Sequence, residues 1–139
     1  MDDPHDLQRF VDAQAGVFER ALAELSTGAK RSHWMWFIFP QVAGLGFSAM
    51  AQRYAIGSKL EAEAYLAHPL LGPRLIACAR AVLAVEGRSA HQIFGSPDDL
   101  KFRSSMTLFA AIAEDAIFAE ALRKYFDGRP DEATLEALT

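Results

Sequence analysis

The chain has 139 residues, half of them apolar (51%), including ten Phe, three Tyr and two Trp. That length fits one domain with a real core and excludes a disordered chain. A net charge of −4 and a single cysteine, Cys78, argue against general nucleic-acid binding, an internal disulfide and a cysteine-based zinc site.

The N-terminus reads MDDPHDLQRF, acidic and polar where a secretion signal is basic and then apolar. The longest strictly apolar stretch, Trp34 to Pro40, is far below the ~20 residues a helix needs to span a bilayer. Both features predict a single cytoplasmic domain over 1–139 with no membrane partner. Charge is uneven: residues 1–27 carry −4, residues 28–88 carry +4 and residues 89–139 carry −4. The positive middle also holds both tryptophans. It suits a small anion such as a phosphate or nucleotide, although long basic side chains facing water give the same pattern.

Helical periodicity dominates. A first helix is predicted from about Leu7 to Leu25, with Leu7, Phe10, Val11, Val17, Phe18, Ala21, Leu22 and Leu25 on one stripe. Asp3 caps it, Pro4 sits just inside, and Gly28 stops it. Residues 29–47 break the pattern: Pro40, Gly44 and Gly46 mark irregular backbone, with no second strand signal to make a sheet. Helices resume near Ser48. Ser58-Lys59-Leu60-Glu61 reads as a capping box for a helix to about Ala67, which His68-Pro69 ends. The next helix covers Leu71 to Glu86, with Leu71, Leu75, Cys78, Ala79, Val82 and Leu83 inward. Ser89 opens a turn through Phe94. Ser96-Pro97-Asp98-Asp99 starts a helix to about Ala113, Asp115 caps another through Phe126, and a short one follows Asp131. The sum is an all-α, compact single-domain bundle of about six to eight helices with one irregular aromatic-rich loop, residues 29–47.

No familiar catalytic motif is present. His5, His33, His68 and His91 include no i, i+4 pair, so no metal site is expected, and nothing calls for a cofactor. Three features stand out. His33-Trp34-Met35-Trp36 joins an imidazole to two large rings beside basic residues; it either stacks a base or plugs the loop into the core. Gln14 falls inside the apolar stripe, where an amide must find partners; it either pins the 29–47 loop or lines a pocket. In the helix after Pro97, Lys101, Ser105 and Asp98 lie between two apolar lines. They form either an enclosed anion-binding or proton-transfer set or a snorkelling lysine paired with Asp98. Arg103 and Thr107 map to the outer face of that helix.

Ala13-Gln14, SHWMWFIFPQ (32–41), Gly44-Leu45-Gly46, Tyr54-Ala55-Ile56, EAEAYLAHPLLGPRL (61–75), and Ile93-Phe94-Gly95 followed by DDLKFRSSMTLF (98–109) together resemble the bacterial family known as Domain of Unknown Function 1810. The resemblance covers nearly the whole chain. It implies a mainly α-helical fold and no activity. Members are sometimes labelled calpastatin, but calpastatins are long and disordered, and a compact apolar chain does not fit that label. A weaker similarity is to the NADAR superfamily, helical proteins linked to hydrolysis of N-glycosidic bonds; none of its catalytic residues transfers to a position here.

The expected function is binding of a small phosphorylated or nucleotide-like molecule. Trp34 and Trp36, beside His33, would stack its ring. Lys59 or Lys101, with Ser105 alongside, would meet its anion, and Gln14 or Gln41 would bond its polar edges. For an enzyme, the expected reaction is N-glycoside hydrolysis with Asp98 or Glu61 as the carboxylate. The rival is a helical interaction module without chemistry. A homodimer fits both.

Overall fold

The computed structural model describes residues 2–139. They form ten helices: α1 (Gln8–Gln14), α2 (Phe18–Ser26), α3 (Met35–Ile38), α4 (Ala49–Arg53), α5 (Lys59–Ala67), α6 (Leu71–Ala84), α7 (Ala90–Phe94), α8 (Asp98–Ile112), α9 (Ile117–Phe126) and α10 (Glu132–Ala137). Among the described residues there is no strand, only an isolated parallel bridge between Val42 and Ile56. No single helix there is long and apolar enough to cross a membrane.

The count exceeds six to eight for two local reasons. The predicted Leu7–Leu25 helix is cut in two at Gly16, whose φ of +72° leaves the helical region. The 29–47 segment also holds one short helix, α3. The apolar stripe survives the cut, because Phe10, Gln14, Ala21 and Leu25 are all buried.

Polar side chains cap several helix starts, though none caps α8. The Asp3 carboxylate accepts from the backbone N–H of Leu7 and Gln8 at 2.8 and 2.9 Å. Ser89 and Gln92 form a complete capping box at α7. Asp115 accepts from Ile117 N–H at α9, and Asp131 from Thr134 N–H at α10. At α5 only half the box forms. Ser58 accepts from Glu61 N–H, but the Glu61 carboxylate takes Gly57 N–H and the Arg9 guanidinium instead, at 3.0 and 2.7 Å.

Helix α8 is the axis of the fold, packed by α5, α7, α9 and α10. It is buried from Ser104 through Phe109. Phe39, Phe94 and Phe102 meet at its N-terminal half, with Phe94 and Phe102 stacked at 4.7 Å between centroids. Its predicted outer face is covered as well. The 129–131 segment folds over it, so Asp131 N–H donates to Thr107 Oγ1 at 2.9 Å, and Arg103 donates to the Arg129 and Pro130 carbonyls. Helices α5 and α6 meet at an 88° bend. There Gly72 lies so close to α5 that a Cβ would sit 2.0 Å from the Leu66 carbonyl oxygen, so glycine alone fits.

Candidate functional site

The 29–47 segment divides into two halves with different physics. The first half is fastened to the interior through Glu24, one helical turn beyond Ala21 on the buried side of α2. The Glu24 carboxylate accepts from Arg31 N–H (2.7 Å), Ser32 N–H (2.9 Å), Ser32 Oγ (2.6 Å) and the indole N–H of Trp34 (3.0 Å). Burial pushes the Glu24 carboxyl up, but these donors outweigh burial and hold it down at about 2. Trp34 is fully buried. Its ring has no free face for a ligand, which corrects the expectation that it stacks a base; the indole is a core side chain with its one polar atom satisfied.

Gln14 works on the same half. Its amide donates to the Phe37 carbonyl at 2.8 Å and to Tyr65 Oη at 3.1 Å, and its oxygen accepts from Arg74 at 3.3 Å. Tyr65 Oη in turn donates to the Phe37 carbonyl, and burial raises the pKa of that hydroxyl. All the amide's strong bonding capacity is used inside the fold. Gln14 therefore ties α1, α3, α5 and α6 together and borders neither of the two clefts described below.

The second half opens outward. Between residues 41–51 on one side and α8 with the start of α10 on the other lies a cleft of about 600 Å³, within the range of small-molecule sites. Gln41, Leu45, Phe47 and Ser48 line it from the 41–51 segment, Leu100, Lys101, Arg103 and Ser104 from α8, and Asp131 from the start of α10. Two large apolar side chains stand exposed at its edges, Phe47 at 84% and Leu100 at 55% of full accessibility.

The charge at this cleft is organised around Asp98. Lys30 Nζ lies 2.8 Å from one Asp98 oxygen and Lys101 Nζ 3.4 Å from the other. Two ammonium groups thus share one carboxylate, leaving an excess of positive charge at the Lys101 end. The Lys101 ammonium also sits 5.5 Å from the centre of the half-buried Trp36 ring, and that of Lys30 5.0 Å from Trp34.

Of the residues singled out from sequence, Gln41 and Lys101 line the cleft, and Trp36 stands behind Lys101. The others do not join them there. His33 and Lys59 are exposed away from its walls. Glu61 is committed to Arg9 and Gly57. Asp98 is held by its two lysines. Ser105 points inward, fully buried, with no hydrogen-bond partner for its hydroxyl among the described residues. The arrangement leaves the Lys101 ammonium at the cleft, sharing its carboxylate with Lys30. Three contributors carry no motif signal: Phe47, Asp131 and Glu24. A phenylalanine between glycine and serine in GLGFS, and an acid on the buried side of α2, are the traces they leave in the sequence.

A second cleft of about 530 Å³ lies at the N-terminus, between residues 2–8 and α5, and includes His5 and His68. One ring nitrogen of His68 already accepts from Leu70 and Leu71 N–H. No cluster of three metal-ligating side chains occurs among the described residues.

A family model described as "Protein of unknown function (DUF1810)" matches residues 4–138. The conserved hypothetical protein Rv1873 from Mycobacterium tuberculosis, whose crystal structure is solved, is 54% identical, with a TM-score of 0.96 over 98% of each chain. No curated protein matches this chain.

Proposed function

We propose a function from geometry, because the chain belongs to the DUF1810 family, whose function is unknown: the protein binds a small phosphorylated molecule in the cleft between residues 41–51 and α8. The observation that carries this reading is the shared carboxylate. Lys101 can turn from Asp98 to a ligand anion without leaving Asp98 unpaired, because Lys30 remains at 2.8 Å. Gln41, which also lines the cleft, supplies an amide for the ligand's polar edge.

Hydrolysis of an N-glycosidic bond is the reaction to assay first on such a ligand. Among the residues lining the cleft Asp131 is the one acid, so it replaces Asp98 and Glu61 as the carboxylate to test. A protein that only binds leaves the nucleotide intact. Release of free base by the native protein, and not by Asp131→Asn, extends the reading to a hydrolase.

Calorimetric titration with inorganic phosphate, ribose 5-phosphate and AMP tests the binding. Saturable binding is expected, weakened about tenfold by Lys101→Ala. No binding by any of the three, or binding indifferent to Lys101→Ala, refutes it. The exposed Phe47 and Leu100 also support a second reading, a helical interaction module whose partner covers these rims. In that reading Phe47→Ala loses a protein partner, and none of the phosphates competes for it.

A further inference from the structure

We infer that the occupant of this cleft is a nucleoside monophosphate, with its base against Phe47 and its sugar hydroxyls at Asp131. This rests on the phosphate-binding reading above and adds what the rest of the ligand must be.

Phe47 is the exception among ten phenylalanines: the other nine are buried or half-buried. Its exposure does not come from a slack backbone. The Gln52 amide donates to the Phe47 carbonyl at 2.9 Å, and Ser48 caps α4 by accepting from Ala51 N–H at 3.1 Å. Just before it, Gly46 packs so tightly that a Cβ would meet Ala51 Cβ at 2.7 Å. The loop is therefore built to hold an apolar ring at the mouth of the cleft, and a flat ring is the chemistry that covers it.

Asp131 supplies the second requirement. Its backbone is fixed by Thr107, and one carboxylate oxygen accepts from Thr134 N–H and Oγ1 at 3.0 and 2.5 Å. The other oxygen has no hydrogen bond among the described residues, and the side chain borders the cleft. A carboxylate oxygen left open beside a cation-bearing wall accepts from hydroxyls, as a ribose diol provides, and repels phosphate.

Spacing fits the three together. Lys101 and Thr107 are six residues apart on α8, about 9 Å along the axis, and Asp131 is attached at Thr107. The anion end and the hydroxyl-accepting end are thus set apart within the one cleft that Phe47 also lines. A bare sugar phosphate satisfies two of these sites and leaves Phe47 uncovered. A nucleoside monophosphate satisfies all three.

Affinities of inorganic phosphate, ribose 5-phosphate, AMP and 2′-deoxyAMP, measured by calorimetry on the full chain, test this. AMP is expected to bind about tenfold tighter than ribose 5-phosphate. Phe47→Ala removes that gap without changing the affinity for ribose 5-phosphate, whereas Phe47→Trp keeps it and gives an AMP-dependent fluorescence change. Asp131→Asn, which retains a capping side chain, narrows the preference for AMP over 2′-deoxyAMP. Equal affinity for AMP and ribose 5-phosphate, or a gap that survives Phe47→Ala, overturns the inference. If the phosphates bind through Lys101 but gain nothing from a base, this inference alone fails; if none binds, the phosphate reading of the cleft fails with it.

Discussion

Residues 31–39, with four aromatic side chains, and residues 43–51, with one, lie close in sequence within irregular backbone, yet they do opposite things. In the first stretch Glu24 and Gln14 satisfy the Trp34 indole, the Ser32 hydroxyl and the Phe37 carbonyl, and the Trp34, Phe37 and Phe39 rings are buried. In the second, Phe47 is exposed to solvent at a cleft also lined by a lysine and by a carboxylate with one open oxygen. The contrast teaches that aromatic content does not mark a site. What separates scaffold from site is whether the polar atoms are already paired and whether the rings already have neighbours.

The sharpest way to break this contrast is to attack the fastened half. Trp34→Ala empties a fully buried indole site and is expected to lower unfolding free energy by about 3–5 kcal/mol in urea titrations. A loss below about 1 kcal/mol would mean the ring is not a core member.

Next comes Glu24→Gln, which keeps the shape but loses the charge that four donors share. A destabilisation of about 2–3 kcal/mol is expected. The same carboxylate makes stability depend on pH. Its pKa is lowered from 4.5 to about 2 in the folded protein, so its contribution is complete above pH 4.5 and is lost as pH falls toward 2. The difference amounts to about 3 kcal/mol. Glu24→Gln should flatten the pH dependence of stability across that window; an unchanged slope would show that other carboxylates produce it.

Ser105→Ala removes a buried hydroxyl that has no partner among the described residues. Stability should stay level or rise by about 1 kcal/mol. A clear loss would mean the hydroxyl is bonded after all. The smallest effect on folding is expected at the open half. Phe47→Ala should change stability by less than about 0.5 kcal/mol, even though the same substitution removes the affinity gain from the base.

Helix ends are legible in the sequence wherever a short polar side chain caps them, as Asp3, Ser89, Asp115 and Asp131 do. The apolar stripes of α2, α6 and α8 are legible for the same local reason: periodicity is a property of neighbouring residues. The break at Gly16 was not, because a lone glycine is tolerated inside a helical pattern. The α8 face bearing Arg103 and Thr107 reads as outer because a helical wheel does not show which distant segment folds over it. Here residues 129–131 do.

The candidate site was legible in part. Lys101 and Gln41 are polar residues at apolar or irregular positions, and both reach the cleft. Trp34 carries the same kind of signal and lies in the core, because its fate depends on Glu24, ten residues earlier in the chain. Phe47 has no signal of its own, and Asp131 signals only a helix cap. They matter because the 41–51 segment and the start of α10 line the same cleft as α8.

Amide chemical-shift mapping of the ¹⁵N-labelled protein during an AMP titration distinguishes the two halves directly. Shifts confined to residues around 44–51, 100–104 and 131–133, with 31–39 undisturbed, are expected. An unperturbed spectrum, or shifts centred on Trp34 and its Glu24 anchor, would contradict a binding cleft between the 41–51 segment and α8.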